Sequence, residues 1–209
     1  MAETLQIQRR TLKWPDRAVM IAYMRFMLLF YALFFLAYFA TQWIAPPPRA
    51  GFHLYFEWER NIPLIPWMIW PYVTLLTVFS VPAVQFVPCE LSQLSKQSSF
   101  CLLIGGICFL VFPCVAGFPE TSITGFYGQV FDILRFLDTP QNLVPSLHVA
   151  FSALILLQAR AVGNGWLRHI YGSWLVLMMV CVVLIHQHHV VDIVAGYGLA
   201  VAARRLFPF

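Results

Sequence analysis

The sequence predicts an all-α integral membrane protein in which six transmembrane helices form one bundle. Of its 209 residues, 60% are hydrophobic and only 11% are charged, whereas a soluble domain carries about 25% charged residues. The apolar residues fall into six runs, most of them close to the roughly 20 residues that cross a bilayer as a helix. We therefore interpret residues 1–209 as a single membrane domain.

The boundaries of the six runs follow from the prolines and polar residues between them. Three prolines end the first run, and Pro66, Pro71 and Pro82 predict kinks in the second. A polar loop, 88–99, precedes the third run, and the longest polar interval, 119–142, precedes the fourth. Only a few residues separate the last two runs, which predicts an antiparallel hairpin. The predicted spans are about residues 18–44, 63–87, 100–118, 143–161, 166–185 and 190–206.

The basic residues predict the orientation of the bundle. With six spans and a cytoplasmic N-terminus, the C-terminus is cytoplasmic too, and nine basic residues lie inside against three outside. The inside set is Arg9, Arg10, Lys13, Arg17, Lys96, Arg160, Arg168, Arg204 and Arg205, and the outside set is Arg49, Arg60 and Arg135. This orientation places the loops after the third and fifth spans on the external face.

Composition also excludes several classes of function. The net charge of +4 is modest, and the chain has no Walker loop, zinc-finger spacing or basic helix suited to nucleic acid. Its five cysteines fall mostly within apolar runs and lack CxxC spacing, so they are interpreted as small core residues. We expect no cofactor, no metal and no nucleic-acid partner.

The most unusual stretch is 186–196, HQHHVVDIVAG, between the last two spans. If this stretch is helical, His188 and Asp192 are four residues apart and share a face, whereas His189 points about 100° away. A carboxylate fixes one imidazole nitrogen as a donor and leaves the other basic, which prepares a nucleophile or general base. Two other interpretations stay open: a His–Asp pair that satisfies itself at the membrane interface, and a metal site.

A second motif, PSLH at 145–148, opens the fourth span. Pro145 and Ser146 occupy helix-start positions, where free N–H groups and the helix dipole favour an anion such as phosphate. His148 lies in the first turn beside that site, where it could give a proton to a leaving oxygen.

Together, PSLH and HHVVD resemble the PSxH and HxxxD motifs of the type-2 phosphatidic acid phosphatase superfamily. Leu147 before the histidine, Asn142 and the DIVAG of 192–196 are similar to the inositol phosphorylceramide and sphingomyelin synthase branch. The resemblance implies that His188 attacks a lipid phosphate to form a phosphohistidine and that Asp192 orients it. It also implies that His148 protonates the leaving alcohol and then activates the acceptor.

The chain departs from the family in its phosphate-binding cations. No counterpart of the phosphatase branch's Lys-x6-Arg-Pro motif occurs in 100–142, and Val182 stands where an arginine normally precedes the nucleophile. Arg135 is the basic residue of the loop before PSLH, and His186 occupies the basic position two residues before the nucleophile. We expect Ser146, Asn142, Arg135 and His186 to contribute to substrate binding.

The leading functional hypothesis is a lipid phosphatase that acts on a phosphorylated lipid through a phosphohistidine. The alternative within the family is a transferase that moves the phospho-headgroup to another alcohol. A metal-ion or proton transporter that uses the His/Asp cluster is the alternative from another class. We expect the substrate and the surrounding membrane lipids to be the partners, and a bacterial inner membrane with the site facing the periplasm or cell exterior.

Overall fold

A computed structural model describes residues 10–44, 51–119, 122–137 and 142–209. The described residues form helices and connecting segments without a β-strand, which confirms the all-α fold class. The α-helices are α1 (Arg17–Ile44), α2 (Ile69–Val73), α3 (Leu75–Val78), α4 (Val81–Gln85), α5 (Pro88–Val111), α6 (Gly125–Leu137), α7 (Leu147–Val162), α8 (Leu167–Leu184) and α9 (Val190–Leu206). Two 3-10 helices, Glu57–Asn61 and Pro66–Met68, lie before α2.

Helix α7 is the centre of the bundle. Eleven of its 16 residues are buried, and small side chains such as Ala150 and Ala153 let neighbouring helices approach it closely. Both α8 and α9 pack on α7 and have little contact with each other. The predicted hairpin of the last two spans is therefore wrong, since the central helix takes the place between them.

Two spans differ from the sequence-based prediction. The second is a succession of short helices, α2 to α4, because Pro71 and Pro82 interrupt regular backbone hydrogen bonding. The third starts at Pro88, within the stretch that was predicted to be a polar loop. There the Glu90 side chain accepts a hydrogen bond from Val87 N at 2.9 Å and caps the helix, and the polar stretch buries Leu91.

The interval between α5 and α7 contains an amphipathic helix that the sequence analysis treated as a loop. Helix α6 buries Phe131 and Leu134 and leaves Ile133 exposed. The two buried residues are three positions apart and share a face, and they pack in the same apolar cluster as Val149 of α7. Helix α6 therefore covers part of the bundle beside the start of α7.

Three described helices are long and apolar enough to cross a membrane: α1 over Arg17–Ala37, α5 and α8. Helix α7 is apolar but shorter. These helices are consistent with an integral membrane protein.

The end of the bundle opposite the α8–α9 connection is tied together by polar contacts. Arg10 contacts the carboxylate of Glu90 at 2.7 Å, and Gln158 of α7 donates to the same carboxylate at 3.3 Å. Arg204 of α9 donates to Gln158 at 3.5 Å. These contacts connect α5, α7 and α9 and hold the ends of the three helices together.

Candidate active site

The histidine-rich connection between α8 and α9 begins the candidate site. His188 and His189 precede α9, and His189 is its N-cap residue. One oxygen of Asp192, Oδ2, accepts the backbone N–H of His189 at 2.9 Å and lies 3.2 Å from Nδ1 of His188. His188 contacts Asp192, as expected. However, His188 precedes α9, so the contact arises because Asp192 caps the start of the helix and not because the two residues share a helical face.

The start of α7 is held directly against the first turns of α9. Ser146 is the N-cap of α7, and its Oγ accepts the backbone N–H of Val149 at 3.4 Å. Its own backbone N–H donates to the carbonyl oxygen of Asp192 at 3.0 Å. A Cβ at Gly196 would clash with the carbonyl oxygen of Ser146, so this approach requires a glycine.

This packing brings the two motif histidines into contact. Nδ1 of His148 lies 3.1 Å from Nε2 of His188, and Nδ1 of His188 faces Asp192. His188 and Asp192 are 2% and 1% exposed, whereas His148 is partly exposed. The arrangement orients an imidazole through a carboxylate and places a second imidazole at its free nitrogen, as nucleophilic catalysis with acid–base assistance requires.

Glu59, which the sequence analysis did not single out, anchors the same connection from the other side. It is fully buried, and its Oε2 lies 2.7 Å from Nδ1 of His189 and accepts Val190 N–H at 3.1 Å. Nε2 of His189 accepts the backbone N–H of Gly117 at 2.9 Å. The His189 ring is also stacked on Phe118, with the ring centroids 4.1 Å apart. Glu59 and His189 therefore hold the segment that carries His188.

We expect Glu59→Ala to destabilise the protein by about 3 kcal/mol, because it leaves the His189 ring and the Val190 N–H at the start of α9 without their buried acceptor. Thermal unfolding in detergent measures the change. Glu57→Ala is the matched control, since the exposed Glu57 contacts only Arg60 among the ion pairs of the described residues, and surface pairs contribute little. Equal unfolding temperatures for the two variants would contradict this role of Glu59.

The four expected substrate-binding residues have different surroundings. The Ser146 Oγ is occupied as a helix cap. The amide nitrogen of Asn142 donates to Thr41 Oγ1 at 3.3 Å, and its buried oxygen has no partner among the described residues. Arg135 is exposed and pairs with Asp132 of its own helix at 3.3 Å. The structure therefore brings Ser146 to the histidine pair and leaves Arg135 on the surface of α6.

His186 lies in a left-handed turn with φ of 58°. Its Nε2 is 3.0 Å from the carbonyl oxygen of Ile62, and its ring stacks on Phe118 with the centroids 4.1 Å apart. Burial lowers the pKa of His186, which favours a neutral ring near pH 7. A neutral imidazole that donates to a backbone carbonyl does not supply the positive charge of the absent arginine.

The geometry of the histidine cluster does not provide the set of ligands that a metal site needs. Both ring nitrogens of His189 are engaged, one by Glu59 and the other by Gly117 N–H. In the part of the chain that the structure describes, no group of three or more His, Cys, Asp or Glu residues could hold a metal ion.

A surface cavity of about 440 Å³ lies beside the two segments that pack on His189, and not at the pair formed by His148 and His188. Its lining residues are Glu57, Trp58, Arg60, Asn61 and Pro119. These residues adjoin Glu59 and Phe118, two of the residues that contact His189. The cavity therefore borders the segment that carries the site, and it contains a cation, Arg60, and an aromatic ring, Trp58.

Comparison with known proteins identifies the family of the chain. Residues 67–206 match the family model described as the PAP2 superfamily. This range covers more than half of the chain and includes both the PSLH and the HHVVD motifs. Neither the comparison with curated proteins nor the comparison with solved structures gave a match. The chain therefore belongs to the PAP2 superfamily, and this membership supports a phosphatase or phosphotransferase activity on a phosphorylated lipid in a membrane setting.

Proposed function

We propose that the protein is a membrane-embedded lipid phosphatase that works through a phosphohistidine on His188. The observation that carries this proposal is the contact of His148 Nδ1 with His188 Nε2 at 3.1 Å, with Asp192 on the opposite nitrogen of His188. In this arrangement Nε2 of His188 carries the lone pair that acts as nucleophile, and His148, which contacts that nitrogen, is placed to exchange a proton at the same point.

In the first step, Nε2 of His188 forms a bond to phosphorus and the bond from phosphorus to the lipid oxygen breaks. His148, which enters this step protonated on both ring nitrogens, gives its Nδ1 proton to that oxygen, which leaves as an alcohol. In the second step, water attacks phosphorus, its proton goes to His148, and the bond to His188 breaks. The rings of His148 and His188 are in direct contact, so they must separate to admit the phosphoryl group between them.

Transfer to a second alcohol is the alternative function, and the burial of the site favours it. His188 is 2% exposed, and the Phe118 ring covers the adjacent His189. A shielded phosphoenzyme reacts with water slowly, so a bound lipid or sugar alcohol could accept the phospho-headgroup first. The resemblance of PSLH and DIVAG to the synthase branch supports the same alternative.

The test incubates purified protein with a phosphorylated lipid, with and without a lipid alcohol, and identifies the products by mass spectrometry. We expect free phosphate and dephosphorylated lipid, unchanged by EDTA and inhibited by vanadate, a mimic of the phosphoryl transition state. A new phospholipid formed only with the acceptor would favour the transferase. Complete loss on chelation that zinc restores would support the metal interpretation, and ion flux in proteoliposomes without lipid turnover would support the transporter.

We further propose a bacterial inner-membrane location with cytoplasmic termini and the site facing outward. The nine-to-three distribution of basic residues supports the orientation. Asp132 of α6 is exposed and should be external, whereas the exposed Cys89 of α5 should be cytoplasmic. Asp132→Cys in a Cys89→Ser background should react with an impermeant thiol reagent in intact cells. The native protein should react only after permeabilisation, and the reverse pattern would contradict this orientation.

A further inference from the structure

We propose that Tyr72 is a positioning residue for His148 that changes from hydrogen-bond donor to acceptor when His148 gains a proton. The proposal rests on the proposed function, because it concerns the acid–base histidine of that reaction. The hydroxyl oxygen of Tyr72 lies 2.7 Å from Nε2 of His148, and the two ring centroids are 5.0 Å apart. Tyr72 is on α2, far from both histidine motifs in the sequence.

The directions of the hydrogen bonds follow from Asp192. An ionised carboxylate only accepts hydrogen bonds, so Nδ1 of His188 donates to Asp192 and its Nε2 is an acceptor when the ring is neutral. Nδ1 of His148 must then donate to Nε2 of His188. In a neutral His148 the remaining nitrogen, Nε2, accepts a hydrogen bond, and the Tyr72 hydroxyl is the donor.

A protonated His148 requires the opposite arrangement. Both of its nitrogens then carry hydrogen, so Nε2 donates and its partner must accept. A hydroxyl can do both, because its O–H rotates while its oxygen stays in place. A carboxylate at the same position would favour the protonated ring in both steps, and a backbone N–H would favour only the neutral ring. Tyr72 therefore suits both the neutral resting ring and the protonated acid. During turnover the proton leaves and returns at Nδ1, which faces His188, while Nε2 keeps its hydrogen and donates it to the Tyr72 oxygen.

The surroundings of Tyr72 keep its hydroxyl in place. The side chain is 8% exposed and packs in an apolar cluster with Phe131 of α6, Val149 of α7 and Met178 of α8. Because helices on three sides hold the ring, the hydroxyl fixes which edge of the His148 imidazole faces His188. Tyr72 contacts Nε2 of His148, whereas the reaction takes place at Nδ1 of that ring. It therefore acts through His148 and does not touch the reacting atoms.

The test is Tyr72→Phe, which keeps the ring and removes the hydroxyl. We expect kcat for a phosphorylated lipid to fall by about 10-fold, the equivalent of one neutral hydrogen bond. The loss with nitrophenyl phosphate should be smaller, because its leaving group needs little protonation. Tyr23→Phe is the matched control: Tyr23 of α1 donates to the carbonyl oxygen of Phe79 at 3.1 Å, and its loss should leave both rates unchanged.

A double-variant cycle separates positioning from a general structural effect. If Tyr72 acts through His148, adding Tyr72→Phe to His148→Ala should cause no further loss. Equal losses with both substrates, or additive losses in the double variant, would overturn the proposal. The wild-type protein is measured in parallel, so absence of lipid turnover in the wild type would refute the proposed function itself and not only this role of Tyr72.

Discussion

His188→Ala is expected to abolish both turnover and the trapping of a phosphoenzyme. The substitution removes the nitrogen that receives the phosphoryl group, so the two-step route is lost and only slow direct hydrolysis remains. Loss of a catalytic nucleophile lowers kcat on the order of 10⁴–10⁶-fold. Release of phosphate from a radiolabelled lipid and retention of the label on denatured protein measure the two effects separately.

His169→Ala is the matched control for this prediction. His169 is an exposed histidine in the first turn of α8, at the opposite end of that helix from the histidine-rich connection. Its removal should leave turnover and labelling unchanged. If His188→Ala still accumulates label, another residue carries the phosphoryl group and the proposed roles of the two motif histidines are wrong.

His148→Ala is expected to slow lipid turnover by about 10²–10⁴-fold, the usual contribution of a general acid–base group. His148 meets Nε2 of His188 from another helix, where a leaving oxygen would need a proton. The rate of release of a nitrophenol should therefore fall much less than that of a lipid alcohol. Parallel assays with the phosphorylated lipid and nitrophenyl phosphate measure this difference.

The second step gives an independent readout for His148. Without a base to activate water, a phosphoenzyme formed from nitrophenyl phosphate should persist longer in His148→Ala than in the wild-type protein. Equal loss of rate for both leaving groups, with no longer-lived phosphoenzyme, would contradict an acid–base role.

Local sequence signals predicted the parts of the fold and site that depend on neighbouring residues. Helix α9 has its predicted limits, Val190–Leu206, because a cap and an apolar run define it locally. The contact of His188 with Asp192 was predicted from four-residue spacing, and a capped turn makes the same contact possible. Ser146 is the helix cap that its position in PSLH indicates.

Residues that reach the site across the fold could not be predicted in this way. Glu59 is 130 residues from His189, and Tyr72 is 76 residues from His148. Neither lies in a spaced motif, since Glu59 belongs to a short 3-10 helix before the second predicted span and Tyr72 to the proline-interrupted span itself. Their roles depend on which helices pack together, and composition and periodicity do not determine that packing.

The polar segments were misinterpreted for a different reason. The start of α5 and the whole of α6 are helical although the sequence predicts loops there, because polar residues commonly mark the ends of membrane spans. Glu90 instead caps α5, and Phe131 and Leu134 give α6 a buried face. Partly polar helices at the edge of a membrane bundle are stabilised by one apolar face, and a search for long apolar runs does not detect them.

Identification of the labelled residue tests the central claim most directly. The purified protein is mixed briefly with a radiolabelled phospholipid, quenched in alkali, digested and analysed by mass spectrometry. The account predicts a phosphoryl group on His188 that survives alkali and is lost in acid. An acid-stable phosphate on Ser146, a label on His189, or no covalent label during measurable turnover would contradict it.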